Sequence, residues 1–218
     1  MLGSIARYEE SDYDKAIANY RKALAIYLKV PGKERFDLNI ADSYHNLGRA
    51  YNKKGNYDKA IVNYEKALAI RREVLGEHHL DTADSYNNFG VVHYEIGKYN
   101  AAIANYKMAL TIRREVLGKY HENTANSHSD LGNAYAGKGK IDETLVNLKQ
   151  ALTIRRKVLG ENHPDTATSY HNLAVAYFYQ GDHDAALANL KQALSIQREV
   201  LGEQDELTQK LERFLTNF

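Results

Sequence analysis

The chain has 218 residues, with 29 Lys and Arg against 28 Asp and Glu, a formal net charge of +1 and no cysteine. That balance removes the electrostatic case for nucleic acid or an anionic membrane as partner. Without cysteine there is no disulfide framework and no thiolate metal site, and no apolar run reaches the length of a membrane span, so a cytoplasmic setting is expected.

In chain order, Met1-Leu2-Gly3-Ser4-Ile5 runs quickly into Arg7, Glu9 and Glu10 and lacks the apolar core of a signal peptide. Residues 2–10 read as the last turns of a first helix whose beginning is missing, followed by a second helix from about Tyr13 to Lys29. Tyr13, Ala16, Ile17, Tyr20, Ala23, Leu24 and Tyr27 recur there at helical spacing. An incomplete partner helix would leave that stripe uncovered, and weak self-association through the N-terminal end is expected unless a short helix from Leu2 to Glu9 covers it. A connector from Val30 to Asn39 follows and contains Pro31-Gly32.

From there the chain repeats every 42 residues. Leu68-Ala69-Ile70-Arg71-Arg72-Glu73-Val74-Leu75-Gly76 returns with small changes at Leu110–Gly118, Leu152–Gly160 and Leu194–Gly202. Self-similarity at such a period predicts a stacked solenoid, in which each unit buries its apolar face against its neighbours. The units are rich in Ala, Leu, Lys, Asn and Glu at helical spacing, which argues against the short strands of a propeller blade. Each unit predicts a hairpin of helices A and B. In the first complete unit, helix A spans about Ala41–Lys54, Gly55 makes the turn, and helix B runs from about Tyr57 to Val74 and stops at Gly76. Connectors such as Glu77–Thr82 and Glu161–Thr166 follow, and Pro164 suits the first position of a helix. The units divide at about 1–36 (partial), 37–79, 80–121, 122–163 and 164–203. A final helix over 204–218, with Leu207, Leu211, Phe214 and Leu215 at helical spacing, is expected to cap the last hairpin.

Within the unit, Tyr44, Leu47, Gly48, Tyr51, Ala60, Tyr64 and Ala67 follow the tetratricopeptide spacing W-x2-L-G-x2-Y and A-x3-F, with Tyr in place of Trp and Phe. Gly48, Gly90, Gly132 and Ala174 are the small residues that let the two helices of a hairpin approach. With the LGxxHPxTA-like connector, this pattern resembles the 42-residue tetratricopeptide repeats of the kinesin light chain and nephrocystin class over nearly the whole chain. The resemblance implies an all-α, right-handed solenoid of tandem hairpins that works as a protein-interaction scaffold. It also implies that helix A residues between the core positions line a concave groove able to take an extended peptide. These are His45, Asn46, Arg49, Asn52 and Lys53 in the first complete unit, and Asn87, Asn88, Val91 and Tyr94 in the second. Asn133 follows in the third, and His171, Asn172, Val175, Phe178 and Tyr179 in the fourth. Asn46, Asn88 and Asn172 share one repeat position, where an amide can pair with a peptide backbone or bridge helices within the fold. The clamp of chaperone-binding relatives is not expected, because Arg49 and Lys53 give way to Val91, Glu95, Asn133 and Gly137 in later units.

No constellation converges on catalytic chemistry, so no enzyme, metal or cofactor is expected. His79, His121 and His163 lie one repeat apart, too far to share an ion, and read as residues at helix starts. Gly137-Lys138-Gly139-Lys140 lacks the spacing of a phosphate loop. The pairs Arg71-Arg72, Arg113-Arg114 and Arg155-Arg156 read as a solvated outer face, with a nucleic-acid stripe as the alternative. Two other readings stand beside the peptide scaffold: a regulatory or sensor segment of a larger signalling protein, and a self-assembling architectural repeat.

Overall fold

A computed structural model describes residues 2–30 and 37–216, with side chains described except at 2–11, 207, 210, 211, 214 and 216. Ten helices and no strands occur among the described residues. They are α1 (Leu2–Tyr27), α2 (Asp37–Lys53), α3 (Tyr57–Leu75), α4 (Leu80–Glu95), α5 (Tyr99–Leu117), α6 (Glu122–Gly137), α7 (Ile141–Leu159), α8 (Pro164–Gln180), α9 (His183–Leu201) and α10 (Glu206–Thr216). The chain forms two compact units, Met1–Ile112 and Arg113–Phe218.

The hairpins follow from local chemistry. Asn56 caps α3 by accepting from the Lys59 amide at 3.3 Å, and Asp182 caps α9 by accepting from the Ala185 amide at 3.0 Å. Gly55 turns the chain at φ +70°, and Gly76 ends α3 at φ +89°, a left-handed backbone that a side chain would strain. Helices A begin earlier than Ala41 and its repeat equivalents: α2 starts at Asp37, and α4 already includes Leu80, Asp81 and Thr82. The reason lies in the cap. Nδ1 of His79, His121 and His163 accepts from the amides of Asp81, Asn123 and Asp165, each at 3.1 Å, so the helix starts directly after the histidine. The histidines therefore stand at helix starts, as their spacing indicates.

Each hairpin closes around a small residue. Gly48 of α2 faces Tyr64 of α3, and Gly90 of α4 faces Tyr106 of α5. Gly132 of α6 faces Leu148 of α7. In the first unit Leu47, Tyr51, Ala60, Tyr64, Phe89 and Val92 share one core with Ile17 and Leu24 of α1. In the second, Leu145, Leu148, Leu152, Leu173 and Ala176 form one cluster, and Ala174, Leu190, Ala193 and Leu194 form another.

Two expectations about the ends change. The separate N-terminal helices are one continuous helix, α1. The reason is legible at the turn, where Ser11 stands at the position of Gly55, so the chain has no residue suited to positive φ and continues its helix. The apolar stripe of α1 is also largely covered: Ile17 and Leu24 are buried, and Tyr20 and Tyr27 pack on the same core. The side chains of Leu2–Glu9 and the Pro31-Gly32 connector lie outside the described residues. At the other end α10 packs on α9, with Leu215 against the last core cluster. The side chains of Leu207, Leu211 and Phe214 lie outside the described residues.

Candidate functional site

The repeated arginine pair is not a solvated stripe. Arg71, Arg113 and Arg155 are buried at 5%, 8% and 7% exposure, while Arg72, Arg114 and Arg156 are exposed. The buried member is turned into the junction between hairpins. Arg71 donates to the Asp81 carbonyl at 3.0 Å, to Ser85 Oγ at 2.8 Å and to Asp42 Oδ1 at 2.8 Å. Arg113 donates to Ser127 Oγ at 2.7 Å. Arg155 donates to Ser169 Oγ at 2.7 Å and to Asn126 Oδ1 at 2.7 Å. A guanidinium's forked donors can join several acceptors on two helices at once, and this is its role here. The exposed member does what the sequence reading assigned to the whole pair. Arg72 pairs with Glu77 at 2.5 Å, and Arg198 with Glu212 at 2.7 Å.

A second repeated tie was not foreseen. Thr82, Thr124 and Thr166 are fully buried and donate to the carbonyls of Gly76, Gly118 and Gly160 at 2.9, 3.0 and 2.8 Å. The signal was present, because these Thr and the Ser three residues later recur at the same 42-residue spacing as the arginines. At the last junction the set changes. Gln197 stands in the arginine position and Leu211 in the serine position, and Gln197 Oε1 and Thr208 Oγ1 are buried with no hydrogen-bond partner among the described residues.

The expected groove residues fall into two settings. In the first unit, His45 is half-buried and its ring contacts the junction. Its Nδ1 lies 3.2 Å from Arg71 Nη1, and its ring meets Tyr64 edge-on at 5.6 Å. Burial, with the Arg71 charge second, lowers its pKa from the ordinary 6.5 to about 4. Between those values the unfolded chain takes up a proton that the folded chain refuses, so stability falls on acidification from pH 6.5 toward 4. Urea midpoints at pH 7 and pH 4.5 should differ more for the native chain than for His45→Asn. Equal differences would mean that burial of this imidazole has no thermodynamic weight.

Asn46 is half-buried, Arg49 and Lys53 are exposed, and Asn52 carries a buried Oδ1 without a partner among the described residues. Asn87 and Val91 are half-buried. Asn88 donates to the Asp84 carbonyl of its own helix at 2.7 Å, which leaves its carbonyl oxygen for other contacts. Tyr94 packs edge-on against Tyr99 at 5.6 Å.

In the second unit Asn133, His171, Asn172, Val175 and Tyr179 come together. They line a cavity of about 740 Å³ between α6, α7 and α8, with Ala136, Ile141, Leu148 and Ala176 as apolar walls and Thr144 beside them. Tyr179 is 79% exposed at its rim. Phe178 is not part of this lining; it stacks edge-on against Tyr179 at 6.0 Å and His183 at 5.4 Å. Among the described residues neither Asn133 nor Asn172 makes a side-chain hydrogen bond. An apolar cavity with a few convergent polar groups is the usual form of a ligand site. Among the described residues there is no group of three or more His, Cys, Asp or Glu that could hold a metal ion. No helix among them is long and apolar enough to cross a membrane.

Hairpins closed by a small residue against an aromatic or leucine, stacked through repeated ties, define an α-solenoid of helical-hairpin repeats. The tetratricopeptide repeat family model matches residues 39–115, 97–143 and 123–199, and the chain belongs to that family. Its repeats generally mediate protein–protein interaction. Among solved structures, the chain is similar to BtubC (BKLC) from P. vanneervenii, with a TM-score of 0.81 and 27% identity over 92% of this chain and 79% of that one. It is also similar to a putative kinesin light chain from P. anserina with nearly identical TPR-like repeats, with a TM-score of 0.75 and 26% identity over 90% of this chain and 93% of that one. MamA, at a TM-score of 0.62 and 22% identity over 91% of this chain and 96% of that one, shares the fold. No curated protein matches the chain. The resemblance to kinesin light chain-like repeats, read from the residues, agrees with these neighbours.

Proposed function

We propose that this protein is an interaction scaffold that takes an extended peptide or partner segment along its helix A residues, anchored in the cavity between α6, α7 and α8. The observation that carries this reading is the lining of that cavity. An apolar floor can bury one or two side chains of a peptide, while the amides of Asn133 and Asn172 have no partner among the described residues and can pair with its backbone. The likeness to a putative kinesin light chain repeat array supports a role in which helical repeats present a binding surface rather than a reaction centre.

The test begins with a partner captured by the purified chain and mapped to a peptide. Replacing Asn133 and Asn172 together with Ala should weaken that peptide by about thirtyfold, since each lost hydrogen bond is worth roughly 1 kcal/mol, and leave the helical melt nearly unchanged. Replacing the exposed Arg72 and Arg114 with Ala should change binding little. A larger loss from the arginine pair than from the asparagine pair would overturn the reading.

A further inference from the structure

The buried arginines hold equivalent places at successive junctions, but their surroundings differ. At the first junction the set is complete. His45 Nδ1 lies 3.2 Å from Arg71 Nη1, which also donates to Ser85 Oγ and the Asp81 carbonyl, and Asp42 accepts from Nη2. None of these side chains has a buried polar atom left without a partner.

Two repeats on, the junction of α7 with α8 keeps its arginine and serine but changes the other two members. Ser129 of α6 stands at the position of His45, and Asn126 at that of Asp42. Arg155 Nη2 donates to Asn126 Oδ1 at 2.7 Å, and Nη1 donates to Ser169 Oγ at 2.7 Å and to the Asp165 carbonyl at 3.4 Å. Its Nε and the Oγ of Ser129 are both buried with no hydrogen-bond partner among the described residues. The two residues are only 7% and 8% exposed. Buried donors of this kind are nearly always satisfied, by protein or by ordered water.

The side chain that has shrunk is the one that meets the arginine at the first junction. A hydroxymethyl group is smaller than the histidine side chain by most of a ring. A buried water takes about 30 Å³ and needs two to four polar partners. Lost ring volume supplies the room. Arg155 Nε, which only donates, and Ser129 Oγ, which donates and accepts, supply the partners. The surrounding charge decides between a water and a small anion. Exchange of Asp42 for Asn126 removes a direct carboxylate partner, which favours an anion. Asp165, Asp130 and Glu122, however, all act on Arg155 as negative charges. An anion would meet their repulsion and would also have to be stripped of its own water. A water molecule meets neither obstacle.

We infer that a buried water bridges Arg155 Nε and Ser129 Oγ, accepting from the first and donating to the second, in the place that the imidazole of His45 takes beside Arg71. The helix that carries Asn133 is thus tied to Arg155 through solvent, where the first junction uses a side chain.

The test is a high-resolution crystal structure of the full chain grown in bromide, together with the variant Ser129→His. The expected result is one density peak within hydrogen-bond distance of both atoms, with no anomalous signal at the bromine edge. A bromine signal there would make this an anion site and overturn the inference, and so would the absence of any peak between the two atoms. In Ser129→His the imidazole should displace the water and meet Arg155. At neutral pH the folding equilibrium constant from urea melts should rise by about fivefold, as an ordered water is released and its bridge becomes a direct contact. Ser195→His, an exposed change on α9, should leave that constant nearly as it was. A Ser129→His crystal that keeps the peak would overturn the inference. Should that variant fail to fold, the native crystal decides alone.

Discussion

Arg71→Ala should lower the stability of the array by about 3 kcal/mol, because it removes a buried cation whose partners stay behind in the junction. Asp42 is largely exposed and can return to water. Ser85 is fully buried and keeps only its bond to the Asp81 carbonyl, at 3.1 Å. The space left by the guanidinium adds a cavity term. Arg71→Gln imitates the last junction, where Gln197 occupies this position, and should cost roughly half as much, since its amide can reach one of the acceptors. The measurement is a urea midpoint together with amide exchange. Because repeats couple to their nearest neighbours, exchange should rise first in α2 and α4. An unchanged midpoint, or exchange raised evenly over all helices, would refute this role for the arginine. Arg72→Ala, at the exposed member of the pair, should stay within about 0.5 kcal/mol of the native chain.

Gly90→Ala should destabilise the chain by about 2 kcal/mol, although alanine is the better helix former by nearly 1 kcal/mol. A Cβ at this position would stand 2.5 Å from Tyr106 Cδ1 and 2.9 Å from Cζ. Tyr106 is 3% exposed, so its ring has little room to withdraw. The corresponding change Gly132→Ala meets Leu148 Cδ2 at 2.9 Å, the end of a flexible side chain, and should be close to neutral. The chain already contains that solution, since Ala174 packs with Leu190 in the last cluster. The two observations make a testable pair. In a Tyr106→Leu background, Gly90→Ala should lose most of its cost. A double-mutant cycle on urea midpoints gives the coupling directly. Additive effects would mean that the glycine is required for some reason other than the ring it faces.

Ser85 and Thr82 show where reading the chain stopped short. Both stand at fixed offsets from Arg71 in three successive units, so their periodicity was visible. Their purpose was not, because a serine and an arginine 14 residues apart meet only when helix B of one hairpin lies against helix A of the next. The same geometry inverted the expectation for Arg71 itself. Composition favours arginine near a helix C-terminus in water, whereas stacking places this one under the following helix. His45 holds a groove position by its place in the repeat, and stacking also brings its ring against Arg71 and Tyr64.

What the sequence by itself determined is the repeat and everything local to it. The 42-residue period, the small residue in each helix A, the glycine turns and the histidine caps depend on contacts within a few residues or on one recurring pattern, and they specify the hairpins. The break in that pattern is equally local, since Ser11 stands where the later units have a turn glycine. Only the tertiary structure decided which faces became interior and which side chains met. It buried one arginine of each pair and gathered Asn133, Asn172, Val175 and Tyr179 from two helices around one cavity. The physical reason is that these meetings join residues on different helices, 14 or more positions apart. Their occurrence depends on how successive helices cross, which no spacing along a single helix encodes.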